Sequence, residues 1–222
     1  DVARLYGYNN IPTVLPKTND KGCLNKGQSI RRKVSHILAD MGLNEVINYS
    51  LVSESEVEDF TINNYTSVKI LMPLTEERTT MKKSNINGLL SNIKYNFARK
   101  EKNVSFFEIG KRYTAEGETR LLSGALTGSF SSNAWQNYNK EVDFFLVKGI
   151  LDSLFGKLGL LVNYEAAPKL CVNLHDGRTA RITCGDEEIG FIAEIHPKYA
   201  QTNGLERVNV FELNLDKIIS LV

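Results

Sequence analysis

The chain is poor in the residues that would narrow its function at once. Cysteine occurs three times in 222 residues, at Cys23, Cys171 and Cys184, and histidine three times, at His36, His175 and His196. No cysteines form a Cys-x-x-Cys pair, and no histidine stands at ligand spacing from another or from a cysteine. Neither a zinc site nor a disulfide framework is therefore predicted, and a scattered, odd set of thiols suits a reducing compartment. No apolar run approaches the roughly 18 residues that a membrane-spanning helix needs. An excess of one charge is also missing: 27 Lys and Arg against 26 Asp and Glu leave a net charge of +1. That balance argues against a stand-alone nucleic-acid-binding domain while leaving room for a local basic face. GxxxxGK[ST], a GxGxxG after a strand, and GxSxG are all absent, so neither a phosphate loop nor a serine nucleophile elbow is predicted. No internal repeat or low-complexity segment occurs.

What is present is an ordinary globular composition, 42% hydrophobic and 24% charged. The length suits one large or two modest domains, burying about 70% of the surface of the unfolded chain. The opening DVARLYGY reads as the middle of a helix rather than the start of a protein, and no signal peptide precedes it. The expectation is of a segment cut from a longer protein.

Hydrophobic periodicity divides the chain. Val2, Leu5 and Tyr6 share a helical face that ends at Gly7, after which Ile11-Pro12 and Leu15-Pro16 impose extended backbone. Residues 17–27 are polar and Gly-punctuated and read as a linker, so 1–27 form a leader and 28–222 the main module. A helix over 28–41 places Ile30, Val34, Ile37, Leu38 and Met41 on one face and stops at Gly42. Arg31, Arg32 and Lys33 lie mostly off that face, as a solvated surface or as a contact for RNA or a partner.

A strand is predicted over 45–52, with Ile47, Tyr49 and Leu51 on one face. A short helix capped by Ser53 with Glu56, and a strand over 68–72 closed by Pro73, follow. Residues 85–99 form a helix whose stripe is Ile86, Leu89, Leu90, Ile93 and Phe97. Strands over 104–109 and 121–128 precede a helix beginning at Asp143. Strands over 179–184, 189–195 and 208–213 close the chain, with Gly185-Asp186 joining the first two as a hairpin. Asp176-Gly177-Arg178 reads as a turn, with Arg178 in a structural salt bridge. Pro197 starts a short helix. The fold class is α+β, a mainly antiparallel sheet flanked by helices.

One acid stands out. Glu108, in FFEIG, sits in a strand whose neighbours are apolar. A buried carboxylate needs a partner, and Arg78 and Arg112 are the candidates for a structural ion pair.

The order across 70–110, strand to Pro73, Arg78, amphipathic helix, FFEIG, resembles the start of a class II aminoacyl-tRNA synthetase core. The wording of RRKVSHILADMGLNEVINYSLVS, MPLTEERTTMKKSNINGLLSNIKYN, FFEIG, DFFLVKGILDSLFGKLG, LHDGRTARI and IGFIAEIHPKYA is similar to the beta subunit family of bacterial phenylalanyl-tRNA synthetase. DVARLYGYNNIP resembles the end of the small metal-binding domain before that family's catalytic-like module. His175-Asp176 stands where the family usually has His-Pro.

The resemblance implies a class II-like module without catalytic or cofactor-binding residues of its own. FFEIGKRY has no Arg before its acid, and VNVFELNLDKII lacks the glycines and the Arg of an ATP-binding segment. It implies that Asp1 is the last carboxylate of a magnesium site whose other acids are absent here. Mg2+ and ATP would serve the full enzyme, in the cytoplasm. The implied partners are the alpha subunit, in an alpha2 beta2 tetramer, and tRNA(Phe), with no membrane. Subunit pairing is expected through Met72, Pro73, Arg78, Ile86, Leu89, Leu90, Ile93 and Phe97, and a tRNA contact through Arg31, Arg32 and Lys33. The competing expectations are a divergent ATP-binding synthetase domain using Arg78 and Arg178, and an RNA-binding module.

Overall fold

The computed structural model describes residues 1–15, 17, 21–133, 135 and 137–222. The leader holds helix α1 (Val2–Tyr6), ended by Gly7 at φ 93°; Pro16 and residues 18–20 of the predicted linker lie outside the described residues. Helix α2 (Lys26–Asp40) begins in a capping box. The Asn25 side chain accepts from the Gln28 backbone N–H at 2.8 Å, and the Gln28 side chain accepts from the Asn25 N–H at 2.9 Å. That reciprocal pair satisfies two of the helix's orphan donors and moves its start two residues ahead of the predicted one.

Strands β1 (Asn44–Glu45), β2 (Leu51–Val52) and β3 (Thr80–Met81) follow, then helix α3 (Ile86–Phe97). The long strands β4 (Val104–Thr114) and β5 (Gly117–Thr127) form a hairpin, and β6 (Ser129–Asn133) with β7 (Tyr138–Glu141) a smaller one. Helix α4 (Phe144–Leu158) is capped by Asp143, which accepts from the Leu146 N–H at 2.7 Å, and stops at Gly159 in the left-handed conformation. Strands β8 (Asn163–Ala166), β9 (Leu174–Cys184) and β10 (Glu187–Ile195), helix α5 (Pro197–Thr202), strand β11 (Val208–Asn214) and helix α6 (Leu215–Leu221) complete the chain. Gly185, at φ 59°, makes the β9–β10 turn as expected.

Seven strands join in one sheet in the order β1-β4-β5-β11-β10-β9-β8, antiparallel throughout except for the β1–β4 pair. The architecture is the expected mixed α+β with a mainly antiparallel sheet. Because side chains alternate along a strand, Phe107, Leu122, Leu126, Phe211 and Leu213 face one way and pack with α2, α4 and α6. Val104, Ala125, Val208, Val210 and Phe191 face the other way and pack with α3 and Phe60. Gly124 pairs with Phe211 across β5 and β11, and the ring occupies the space a Cβ would need.

Four local expectations are corrected. The strand predicted over 45–52 ends early: Val46 donates to the Phe107 carbonyl at 2.9 Å, and the next ladder position is replaced by a side-chain bond to Glu108. Ile47 and Tyr49, the apolar residues of that predicted strand face, are 93% and 69% exposed. The strand over 68–72 is a single bridge, Lys69 to Thr80, and Leu71, Met72 and Leu74 stand almost wholly in solvent. Residues 54–60 form turns rather than a capped helix, with the Ser53 hydroxyl bonded to that of Ser55 at 3.0 Å. The tripeptide 176–178, read as a turn, lies within β9.

Candidate functional site

The sheet face beneath α3 carries a buried polar cluster at one end. The register sets it up. Glu108 on β4 pairs with Ser123 on β5, and Ser123 pairs with Glu212 on β11, so three polar side chains form one row across adjacent strands. The segment leading into α3 closes over this row and buries Thr80, Lys82, Lys83, Ser84 and Asn85. Gly110 makes the closure possible: a Cβ there would sit 2.6 Å from Asn85 Oδ1 and 2.8 Å from Glu108 Oε1.

Glu108 has its buried partner, but the partner is Lys82, at 2.7 Å, and neither Arg78 nor Arg112. Both side chains are about 95% or more out of solvent, with exposures of 5% and 3%. The other carboxylate oxygen accepts from Asn48 Nδ2 at 2.8 Å, and Asn92 Nδ2 donates to the Asn48 amide oxygen at 2.9 Å. Gly88 lets Asn48 approach α3 this closely. Arg78 instead stacks on Tyr49, 3.4 Å from the ring centroid, and Arg112 lies 4.2 Å from that of Tyr65.

Glu212 is buried at the amino end of α3. One oxygen, Oε2, accepts from the Ser84 hydroxyl at 2.9 Å, the Asn85 backbone N–H at 2.9 Å and the Ser123 hydroxyl at 2.8 Å. A helix amino terminus favours a negative charge, yet burial dominates and pushes the carboxyl above its ordinary range, against those donors and Arg112. An acid with a raised folded pKa holds more protons when native. Its stabilising contribution is full below the ordinary value of 4.5 and is lost as pH rises through the folded value. Glu212→Gln keeps an oxygen for the three donors and removes the charge. It is expected to equal or exceed the parent in stability at neutral pH and to lose that advantage as the pH falls toward 4.5, as thermal denaturation across that range would show.

A cavity of about 270 Å³ opens beside the cluster, between the segment carrying Phe60 and Tyr65 and strands β10 and β11. Lys83 holds its roof: the buried Nζ donates to Glu58 Oε1 and to the Tyr65 carbonyl, both at 2.5 Å. Asp59 fixes the same segment from below, accepting from the Tyr199 hydroxyl at 3.0 Å. Burial raises the Asp59 carboxyl and, more strongly, the Tyr199 hydroxyl.

The remaining sequence candidates fall elsewhere. Ile86, Leu89, Leu90 and Ile93 are at most 3% exposed and belong to the core beneath α3, so their assignment to a subunit interface is corrected: a side chain spent on its own core cannot meet a partner. Phe97 is half-buried against the same core. Met72 and Pro73 are exposed, and Arg78 is half-buried. On α2, Arg31 is half-buried, and Arg32 and Lys33 are exposed. Arg178 makes the expected salt bridge, to the buried Glu194 at 2.7 Å, and Arg207 meets the other Glu194 oxygen at 2.7 Å. Asp1 is exposed and paired with Arg4 at 2.9 Å; a lone carboxylate already bound to a guanidinium does not fit a magnesium site. Among the described residues no group of three or more His, Cys, Asp or Glu is placed to hold a metal, and no helix is long and apolar enough to cross a membrane.

Lys82, Lys83, Ser84, Asn85, Ser123 and Glu212 were not singled out from the sequence. One signal was available: VFELN places Glu212 among apolar neighbours just as FFEIG places Glu108.

Comparison with known proteins decides the family. Residues 11–215 match the model for the phenylalanyl tRNA synthetase beta chain CLM domain. The chain belongs to that family. Among its relatives, the phenylalanine–tRNA ligase beta subunits of Staphylococcus epidermidis and Staphylococcus saprophyticus are each 40% identical over 229 and 230 residues, covering 100% of this chain. The chain spans about 28% of the length of these curated relatives. Its fold is similar to that of pyrrolysyl-tRNA synthetase from Desulfitobacterium hafniense, with a TM-score of 0.65 at 15% identity over 88% of this chain and 68% of that one. A beta-chain CLM domain therefore shares its fold with a pyrrolysyl-tRNA synthetase.

Proposed function

We propose that this CLM domain is a non-catalytic assembly module of phenylalanine–tRNA ligase, a class II-like core that supports the enzyme without binding ATP. The observation that carries the reading is the closure of the polar cluster on itself. Lys82 neutralises Glu108, and Lys83 is held by Glu58 and a carbonyl. The two positions before Glu108 are Phe106 and Phe107. A triphosphate needs several cations free to make charge-assisted hydrogen bonds. Of the cations lining the cavity, Lys83 and Lys217 are paired with Glu58 and Glu187, and Arg112 lies against the Tyr65 ring.

In this reading the alpha subunit activates phenylalanine with ATP and Mg2+ and charges tRNA(Phe), and the domain helps hold an alpha2 beta2 assembly together. The exposed run Leu71, Met72 and Leu74, together with Ile47, is the apolar surface that suits a partner, since such patches on soluble domains mark interaction sites. The exposed Arg32 and Lys33 supply a small basic face for RNA, too few charges for a binding module by themselves.

Co-expression with a phenylalanyl-tRNA synthetase alpha subunit tests this. The chain is expected to co-purify with it, and Leu74→Asp to weaken the pairing without lowering the melting temperature. ATP–pyrophosphate exchange is expected only in fractions that contain the alpha subunit. Exchange catalysed by the chain alone would refute the reading.

A further inference from the structure

We propose that the cluster Arg178–Glu194–Arg207 is a binding site for a small tetrahedral oxyanion of the phosphate or sulfate class. Strand register builds it. Glu194 on β10 pairs with Asn209 on β11, and Ala193 beside Glu194 pairs with Thr179 beside Arg178 on β9. Glu194 and Asn209 stand two residues from Ile192 and Phe211, which belong to the core packed by α2 and α4. The cluster therefore lies on the opposite sheet face from Glu108, Ser123 and Glu212, and none of its members lines the cavity under Phe60.

The balance of charge carries the inference. Arg178 Nη1 donates to Glu194 Oε1 and Arg207 Nε donates to Glu194 Oε2, both at 2.7 Å. One guanidinium neutralises the carboxylate, so the second leaves a surplus cation. Among the described residues no other carboxylate pairs with either arginine, and neither donates a further side-chain hydrogen bond. The nearest acids in sequence are engaged elsewhere: Glu206 pairs with Lys102, and Asp176 accepts from the Lys169 backbone N–H at 3.0 Å. The Glu194 side chain is 5% exposed, whereas those of Arg178 and Arg207 are 46% and 45% exposed. The buried carboxylate thus grips one end of each arginine and leaves the remaining N–H donors open to solvent. Two forks held in place this way lose little freedom when an anion arrives, and their planar geometry matches phosphate oxygens. Asn209 adds a second observation. It is wholly buried, and neither end of its amide has a partner among the described residues, so the inner side of the cluster holds a donor still unmet. Two part-engaged guanidiniums are too few for a triphosphate. Arg78 stacks on Tyr49 near the β1 edge of the sheet, away from β9 and β10, and adds nothing here.

Thermal denaturation in increasing inorganic phosphate tests the proposal, with sodium chloride of equal ionic strength as the control for screening. Phosphate is expected to bind with a Kd of roughly 5 mM. It is expected to raise the melting temperature above the chloride control by about 3 to 6 °C at a tenfold excess over that value. Sulfate is expected to act in the same way. Arg178→Met and Arg207→Met each leave Glu194 one guanidinium, so both are expected to fold, as their melting curves in chloride establish, and to lose most of the phosphate shift. Broadening of the phosphate 31P resonance by the parent protein, reversed by sulfate, reads the binding without heating. An oligouridylate separates a free anion from nucleic-acid phosphate, and is expected to bind no more tightly than inorganic phosphate. Equal melting in phosphate and chloride with no 31P broadening, an undiminished shift in both folded variants, or binding of oligouridylate where phosphate does not bind overturns the proposal.

Discussion

Lys82→Met is expected to lower the melting temperature by roughly 6 to 20 °C. Removing one member of a buried ion pair leaves the other charged and uncompensated, at a cost of about 3–5 kcal/mol. Each kcal/mol shifts the midpoint by about 2–4 °C in a domain of this size. Lys82 and Glu108 have side-chain exposures of only 5% and 3%, so solvent screening offers little relief. The double variant Lys82→Met, Glu108→Gln removes both charges and keeps an oxygen for Asn48, which donates to Glu108 at 2.8 Å. It is expected to recover most of the loss. Differential scanning calorimetry of the two variants decides the matter. A single variant as stable as the parent would mean that the pair holds nothing together.

Gly190→Ala is expected to be comparably damaging for a steric reason. Gly190 sits at a register shift in β10 with φ 153°, a conformation L-residues rarely adopt. A Cβ there would lie 2.2 Å from the Glu212 carbonyl oxygen and 2.8 Å from Leu213 Cα. Both obstacles are backbone, so β11 itself must move, and Glu212 moves with it. The cost is about 3 kcal/mol or more from strain and overpacking together, and the same shift should disturb the neighbouring cavity. Gly149→Ala is the matched control. It lies on the exposed side of α4 with nothing within 4 Å of a new Cβ. It is expected to stabilise by up to about 1 kcal/mol through helix propensity. Urea denaturation of both variants gives the comparison, and a Gly190→Ala protein within error of the parent would contradict the packing described at this bulge.

The sequence was most legible where one residue pattern repeats over several turns or pleats. Ile30, Val34, Ile37 and Leu38 announced α2, and Val147, Ile150, Leu151, Leu154 and Leu158 announced α4; both stripes are buried. The alternation of Phe107 and Ile109 with Glu108 announced a strand with an acid on one face. Legibility failed where extended chain has no strand beside it. Residues 46–50 and 70–74 have the composition of strands, yet apart from a few bonds near their ends they run past the sheet edge, and nothing in their own residues reports whether a neighbour will be there. The α3 stripe was found correctly but assigned to a partner. An apolar face looks the same in sequence whether its own domain or another chain will cover it.

The sequence by itself determined the family, the α+β class and the periods of its long elements, because these depend on residues within one turn or one pleat of each other. It also indicated that Glu108 required a partner. Only the tertiary structure decided which one, because the partners come from distant segments: Lys82 lies 26 residues away and Asn48 lies 60 away. The Asn85 amide reaches Glu212 across 127 residues. Burial of those polar groups follows from strand register and from the closing of residues 80–85 over the sheet. No local propensity encodes either, so the site exists only once the sheet has formed.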